Sequence, residues 1–276
     1  MTIPLWKRIW EREKVIKEMD SLAEIKEFNA GMLKVCIYDS RAAMGKAAAA
    51  GAAARIRSII AKKGEATLVF AAAPSQSEFL DELCKQDVDW TKVIAFHMDE
   101  YIGLDQSAPQ GFGNFLRRAI FDKVIFKSVH YLSNQDIDPI VAVQNYEMLL
   151  TQNPPDLVFL GVGENGHLAF NDPGVADFTD PKKVKIVDLD PICRNQQVND
   201  GCFEKFDDVP QSAITLTMSM LMSIPQALAI VKGSTKTDAV YRTVNDPIST
   251  DCPATILRLH PKSVLYTERE GGAKLL

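Results

Sequence analysis

Two short stretches of the chain concentrate residues able to move protons. In LGVGENGHLAFNDP, Leu160 to Pro173, His167 follows Asn165 by two positions and precedes Asp172 by five, among Gly161, Gly163 and Gly166. The glycines permit tight turns and let the backbone approach a ligand closely. An imidazole held by a hydrogen-bonding neighbour transfers protons near neutral pH with little tuning of its pKa. In FHMDEYIGL, Asp99 and Glu100 are adjacent acids at the end of an apolar run. On extended backbone they point opposite ways, so one is placed to face a pocket while the other ties down its loop. A carboxylate at a partly desolvated strand end has a raised pKa, which suits it to taking and returning a proton. The plain alternative is a structural His167 and two solvated loop acids.

A third stretch, KGSTKTDAV, has the character of an anion site. Gly233, Ser234 and Thr235 precede a helix, offering free backbone N–H groups, and Lys236 adds a full charge. APSQSEF offers Ser75, Gln76 and Ser77 at the start of another helix, where a serine also serves simply as an N-cap. Neither stretch has the spacing of a nucleotide P-loop, and no GxGxxG dinucleotide fingerprint occurs. The anion expected is therefore small, such as one phosphate monoester. His97, His130 and His260 read as structural. The five cysteines are odd in number and scattered without a CxxC, which fits reduced, buried thiols better than a disulfide framework or zinc site.

These residues need a scaffold, and the pattern between them supplies one. Short β-branched runs (KVCIY, ATLVFAAA, KVIAFHM, VHYL, DLVFLGVG, KIVDL, AITLT, ALAIV, SVLYT) alternate with segments of helical periodicity. Several runs are apolar throughout, as when both faces of a parallel sheet are covered. The alternation predicts an α/β fold: a doubly wound, mostly parallel Rossmann-like sheet with helices on both faces. Ligands in such folds sit beyond the carboxyl ends of the strands, which is where these loops fall. Residues 33–276 read as one domain and 1–32 as a helical extension, whose Trp6, Ile9 and Trp10 share a face able to dock on the domain or on another subunit of a homo-oligomer.

The 276 residues suffice for a full core, and 46% hydrophobic with 24% charged residues is ordinary globular composition. A net charge of −5 argues against nucleic acid and acidic membranes as partners. No apolar run approaches the roughly 20 residues that span a bilayer, and the start lacks a signal peptide's apolar core, so the expected location is cytoplasmic.

Taken together, FHMDEYIGL, LGVGENGHLAFNDPG, GSTK before a helix and LRLHPKSVLY make residues 33 to 268 resemble the glucosamine-6-phosphate deaminase/isomerase family, which is similar to the 6-phosphogluconolactonases. The resemblance implies a small-molecule sugar phosphate as partner. It implies ring opening of a 2-amino-2-deoxyhexose 6-phosphate, proton transfer between C1 and C2, and loss of ammonia. No metal or organic cofactor is expected for that chemistry. It matches Asp99 to the proton shuttle, His167 to the ring-opening histidine and Lys236 to a phosphate-binding lysine. Ser75, Gln76, Ser77, Glu100 and Gly163 complete the expected binding set. The chain departs from the family pattern at Asn165, where aspartate is usual, and at Asp172, where glutamate is usual. The family's T-G-x-T-P turn is replaced by APSQSEF. Gln197 falls near the usual phosphate arginine, with Arg194 three positions earlier as its expected substitute. Two other readings stand beside the deaminase one: a phosphogluconolactonase-like hydrolase, from the likeness to that group, and a sugar-phosphate-binding regulator without turnover, favoured by the altered residues around His167.

Overall fold

The structure, a computed structural model, describes residues 24–132 and 137–276. Its strands, in chain order, are β1 (Glu24–Ala30), β2 (Leu33–Tyr38), β3 (Ala66–Phe70), β4 (Val93–His97), β5 (Asp99–Tyr101) and β6 (Ser128–His130). They continue with β7 (Leu157–Leu160), β8 (Val184–Asp188), β9 (Ser212–Leu216), β10 (Ala227–Ile230) and β11 (Ser263–Glu268). Eight of them form one sheet in the order β1-β2-β11-β10-β7-β3-β4-β6, parallel except for the β1–β2 hairpin.

The apolar strands behave as expected of a sheet covered on both sides. Leu157 and Phe159 of β7 enter one core cluster while Val158 and Leu160 enter the other. In β10, Leu228 and Ile230 divide from Ala227 and Ala229 in the same way. Alternate side chains of an extended strand point to opposite faces, so a strand buried on both must be apolar at every position. The first face is covered by α1 (Arg41–Lys63) and α2 (Ser77–Leu83), whose alanines and Phe79 sit in that cluster. Ser40 starts α1, its hydroxyl accepting from Ala43 N at 3.2 Å. The second face is covered by α4 (Pro139–Gln152) and α7 (Thr237–Asn245), with Tyr146, Leu150 and Val240 buried. The remaining helices are α3 (Phe112–Leu116), prolonged by a π turn over Arg117–Phe121, α5 (Pro191–Asn199) and α6 (Met218–Ser223).

Two expectations need correction. Residues 24–30 do not belong to a helical extension: they form the outermost strand. EIKEFNA was hard to read as a strand because its charged residues face solvent on an edge, where they discourage further pairing. Trp6, Ile9 and Trp10 lie outside the described residues. Second, KIVDL and AITLT are strands but not members of the main sheet. With β5 they form a separate antiparallel sheet, order β5-β9-β8, that carries Asp99 opposite Thr215.

The strand order reverses between β3 and β7. The chain leaves β3 toward β4 and β6 at one side, and leaves β7 toward β10 and β11 at the other. Loops diverging at such a point open a crevice past the carboxyl ends of the strands.

Candidate active site

That crevice is a cavity of about 460 Å³. Its wall includes residues 71–75 after β3, Met98 and Asp99 after β4, Gly161–Gly163 and His167 after β7, and Lys232, Thr235 and Lys236 after β10. Asp99, His167, Lys236, Ser75 and Gly163 therefore converge on one space.

Asp99 is placed by the residues around it. Tyr146 Oη donates to His97 O at 2.7 Å and accepts from His97 N at 3.1 Å, satisfying the backbone at the end of β4. Leu132 N donates to His97 Nε2 at 2.8 Å, so the ring proton lies on Nδ1, which donates to Asp99 O at 2.9 Å. Burial pushes His97 down to about 4, keeping this ring neutral. The structural reading of His97 thus holds, with the addition that it anchors Asp99. The Asp99 side chain faces the cavity although the residue is only 5% exposed. Burial, then the nearby Glu100 charge, hold its carboxyl well above the usual range.

Glu100 is not in the cavity. Its carboxylate accepts from Tyr101 N at 3.0 Å, Phe112 N at 3.1 Å and Gly113 N at 2.9 Å, which caps the start of α3. Strand alternation separates the two acids, as their adjacency required. Burial raises the Glu100 pKa, opposed by those three N–H groups.

His167 stands against bare backbone. A Cβ on Gly163 would lie 2.2 Å from His167 Cε1, so the imidazole occupies the place a side chain would take. Gly166 turns the chain with φ 87°, and a Cβ there would meet Cys252 Sγ at 2.4 Å. His167 Nδ1 is 2.8 Å from Asp172 Oδ1, close but without hydrogen-bond alignment. Asn165 does not touch the imidazole. Its Oδ1 accepts from His167 N at 3.1 Å and its Nδ2 donates to Asp172 Oδ1 at 2.8 Å, so it fixes the backbone and the acid instead. Burial would raise the Asp172 pKa, but His167, Asn165 and Cys193 outweigh it and hold the carboxyl below its usual value. Cys193, on α5, is the neighbour that sequence reading missed, because it lies twenty-one positions after Asp172 with unrelated chain between them.

The expected anion set divides. Lys236 is 5% exposed, its Nζ has no hydrogen-bond partner, and its nearest acid, Glu164 Oε1, is 3.9 Å away. Burial holds this ammonium below the usual lysine pKa. Ser75 lines the cavity; Gln76 and Ser77 do not. Gln76 is buried, and its Nε2 donates to Ile230 O at 3.0 Å, bracing the end of β10. Ser77 opens α2. Arg194 is also excluded. Its Nη2 donates to Phe206 O at 3.0 Å and Val209 O at 2.7 Å, and the guanidinium stacks 4.0 Å over the Phe206 ring. Gln197 takes the wall position instead, beside Gln196, Asp200 and Cys202. Burial pushes the Cys202 thiol up to about 11, consistent with an unreactive thiol. Arg118 reaches the cavity from the π turn, and no motif marked it.

Comparison with known proteins identifies the family and the shared fold. The model of the glucosamine-6-phosphate isomerases/6-phosphogluconolactonase family matches residues 39–266. A glucosamine-6-phosphate deaminase of Bacillus cereus strain B4264 is 34% identical over 215 residues, covering 78% of this chain and 80% of that protein. One from Streptococcus sanguinis is 31% identical over 208 residues, covering 75% and 86%. The fold is shared with a solved monomeric glucosamine-6-phosphate deaminase at TM-score 0.78 and 24% identity, covering 87% of this chain and 98% of that one. It is shared also with 6-phosphogluconolactonase of Thermotoga maritima at TM-score 0.68 and 18% identity, covering 85% and 98%. Among the described residues no helix is long and apolar enough to cross a membrane. The chain belongs to the family of glucosamine-6-phosphate isomerases and 6-phosphogluconolactonases.

Proposed function

We propose that the protein deaminates and isomerises a 2-amino-2-deoxyhexose 6-phosphate, glucosamine 6-phosphate or a close hexosamine phosphate, to a ketose 6-phosphate and ammonia. The observation that carries this reading is the convergence of the Asp99 carboxyl and the His167 imidazole on one cavity that also presents Lys236. With Nδ1 turned to Asp172, His167 offers Nε2 to the sugar ring oxygen, assisting opening to the free aldehyde. Asp99 removes the C2 proton and delivers it to C1. The C2 amine gives up a proton and becomes an imine as the aldehyde oxygen gains one and becomes the C1 hydroxyl, and water then hydrolyses the imine to the ketone with release of ammonia. A carboxyl group whose pKa is raised by burial binds and returns a proton more evenly than a solvated one. Lys236, shielded and with no hydrogen bond to its Nζ, supplies the charge for the phosphate, with Ser75, Thr235 and Gln197 as polar neighbours. Five free thiols are in keeping with action in the reducing cytoplasm.

The test is ammonia release from glucosamine 6-phosphate by the wild type and Asp99→Asn. The variant should bind substrate with KM little changed and lose at least about 100-fold in kcat. Undiminished turnover would remove Asp99 from the reaction. The similarity to 6-phosphogluconolactonases supplies a second reading, lactone hydrolysis, which needs His167 but no C1/C2 shuttle. Hydrolysis of 6-phosphogluconolactone that survives Asp99→Asn would favour it. Tight binding without turnover of either substrate would favour a sugar-phosphate regulator.

A further inference from the structure

We propose that His167, Asp172 and Cys193 form a binding site for a thiophilic divalent cation of the zinc class, and that its occupation shuts the cavity's chemistry off. An imidazole nitrogen of His167, an Asp172 carboxylate oxygen and Cys193 Sγ all lie within 4.8 Å of one another, Nδ1 being 2.8 Å from Asp172 Oδ1, and all three residues are buried. Imidazole nitrogen, carboxylate oxygen and thiolate sulfur are the donors zinc takes, at about 2.0–2.3 Å. His167 Nδ1 and Asp172 Oδ2 are shielded from solvent, and neither makes an aligned hydrogen bond. Leaving such groups unsatisfied in a buried site is unfavourable, and a cation would satisfy both at once.

The geometry requires modest adjustment. Donors around a tetrahedral ion with those bond lengths stand roughly 3.3–3.7 Å apart. The His167–Asp172 pair must open from 2.8 Å, and the widest pair must close from at most 4.8 Å. His167 borders the cavity while Asp172 and Cys193 lie behind it, so the ion would bind on the shielded side of the imidazole. On binding, the Cys193 S–H bond breaks, a sulfur–metal bond forms and one proton passes to solvent. Metal on Nδ1 leaves the ring proton on Nε2, so His167 no longer offers a free lone pair to the cavity. The site goes beyond the deaminase reading and does not depend on it.

Cobalt(II) tests it without reference to turnover. Adding cobalt chloride to the protein should produce the near-ultraviolet thiolate-to-cobalt absorption of a single bound ion, displaced by zinc. Cys193→Ser should abolish the band, and Asp172→Asn should weaken cobalt affinity by at least about tenfold. Circular dichroism and melting of both variants check that they fold. Cys36→Ser must keep the band, since Cys36 joins Glu24 and Glu27 in the second cluster of donors among the described residues. No band, a band that survives Cys193→Ser, or one lost in Cys36→Ser overturns the proposal. In an active preparation zinc should depress ammonia release and a chelator restore it. Cobalt binding by a protein that never turns over glucosamine 6-phosphate would sink the deaminase reading and leave the metal site standing.

Discussion

Replacing Gly163 with alanine tests the placement of His167 by adding one methyl group. The Gly163 backbone is not left-handed, so an L side chain meets no torsional penalty there. The new Cβ would stand 2.2 Å from His167 Cε1 and 2.4 Å from Nδ1 and Nε2. Carbon atoms in contact prefer about 3.5–4.0 Å, so the ring must retreat by more than about an ångström. Asp172, 1% exposed, backs it, and the Nδ1–Oδ1 contact of 2.8 Å would break. Misplacing a reacting group by about 1 Å costs on the order of 100-fold in rate. That is about 2.7 kcal/mol of transition-state stabilisation. Overpacking a buried site costs about 1–3 kcal/mol of stability. Ammonia release across substrate concentrations should show kcat lowered about 100-fold with KM nearly unchanged, since the Lys236 end is untouched. Urea denaturation should show the stability loss. The decisive control is the same change in a His167→Ala background, where the methyl enters vacated space and its cost should fall below about 0.5 kcal/mol. Normal turnover in Gly163→Ala, or an equal stability cost in both backgrounds, would refute the reasoning.

Lys236→Met replaces a buried ammonium that makes no hydrogen bond and only a long 3.9 Å ion pair with Glu164 by an uncharged chain of similar length. Its pKa is depressed, so the fold disfavours the charged form: the penalty is absent above the pKa of free lysine and is fully felt below the depressed value. Urea midpoints at pH 7 should hold or rise in this variant, while KM for the sugar phosphate rises at least about tenfold. Arg194→Ala should leave KM within about twofold but cost roughly 1–3 kcal/mol in denaturation, because its partners are the Phe206 and Val209 carbonyls rather than the cavity. Asn165→Asp exchanges a donor for a second carboxylate at Asp172. The depressed Asp172 pKa stabilises the fold above the free carboxylate range, and that contribution disappears as pH falls through the folded value. Charge repulsion moves the loss to higher pH, so melting curves taken from about pH 4 to pH 8 should lose stability earlier on the acid side than wild type.

What the sequence made legible follows the reach of the forces involved. In the main sheet β7 and β10 are apolar at every position and β3 and β4 nearly so, and that signal is local. Helix α1 declares itself through alanine and its Ser40 cap. Pairing is not local. KIVDL and AITLT look like any other half-buried strands, and nothing in them says that their partners are each other and β5. The same limit governs the site. Asp99, His167 and Lys236 sit at strand ends, where the fold class alone directs them to a common crevice. Arg194 and Gln197 share one helix, and which of them faces the cavity depends on where the 206–209 loop packs. Gln76 looks like a ligand by type, yet strand-end carbonyls claimed its amide.

The two unusual residues near His167 act as one unit. An aspartate at 172 is one methylene shorter than the family's glutamate, and an asparagine at 165 cannot contribute charge. In the structure Asn165 spends its amide donor on Asp172 Oδ1, the oxygen nearest Nδ1. That bond orients the shorter acid and favours its ionised form, so one anion is held at the imidazole where the family pattern would place two. A neutral orienting residue is costly in a serine-protease triad because it replaces the acid that faces the ring. Here the acid that faces the ring is retained and the neutral residue stands behind it. The departure from the family pattern therefore leaves the His167–carboxylate contact in place. What it changes is the number of charges around that contact.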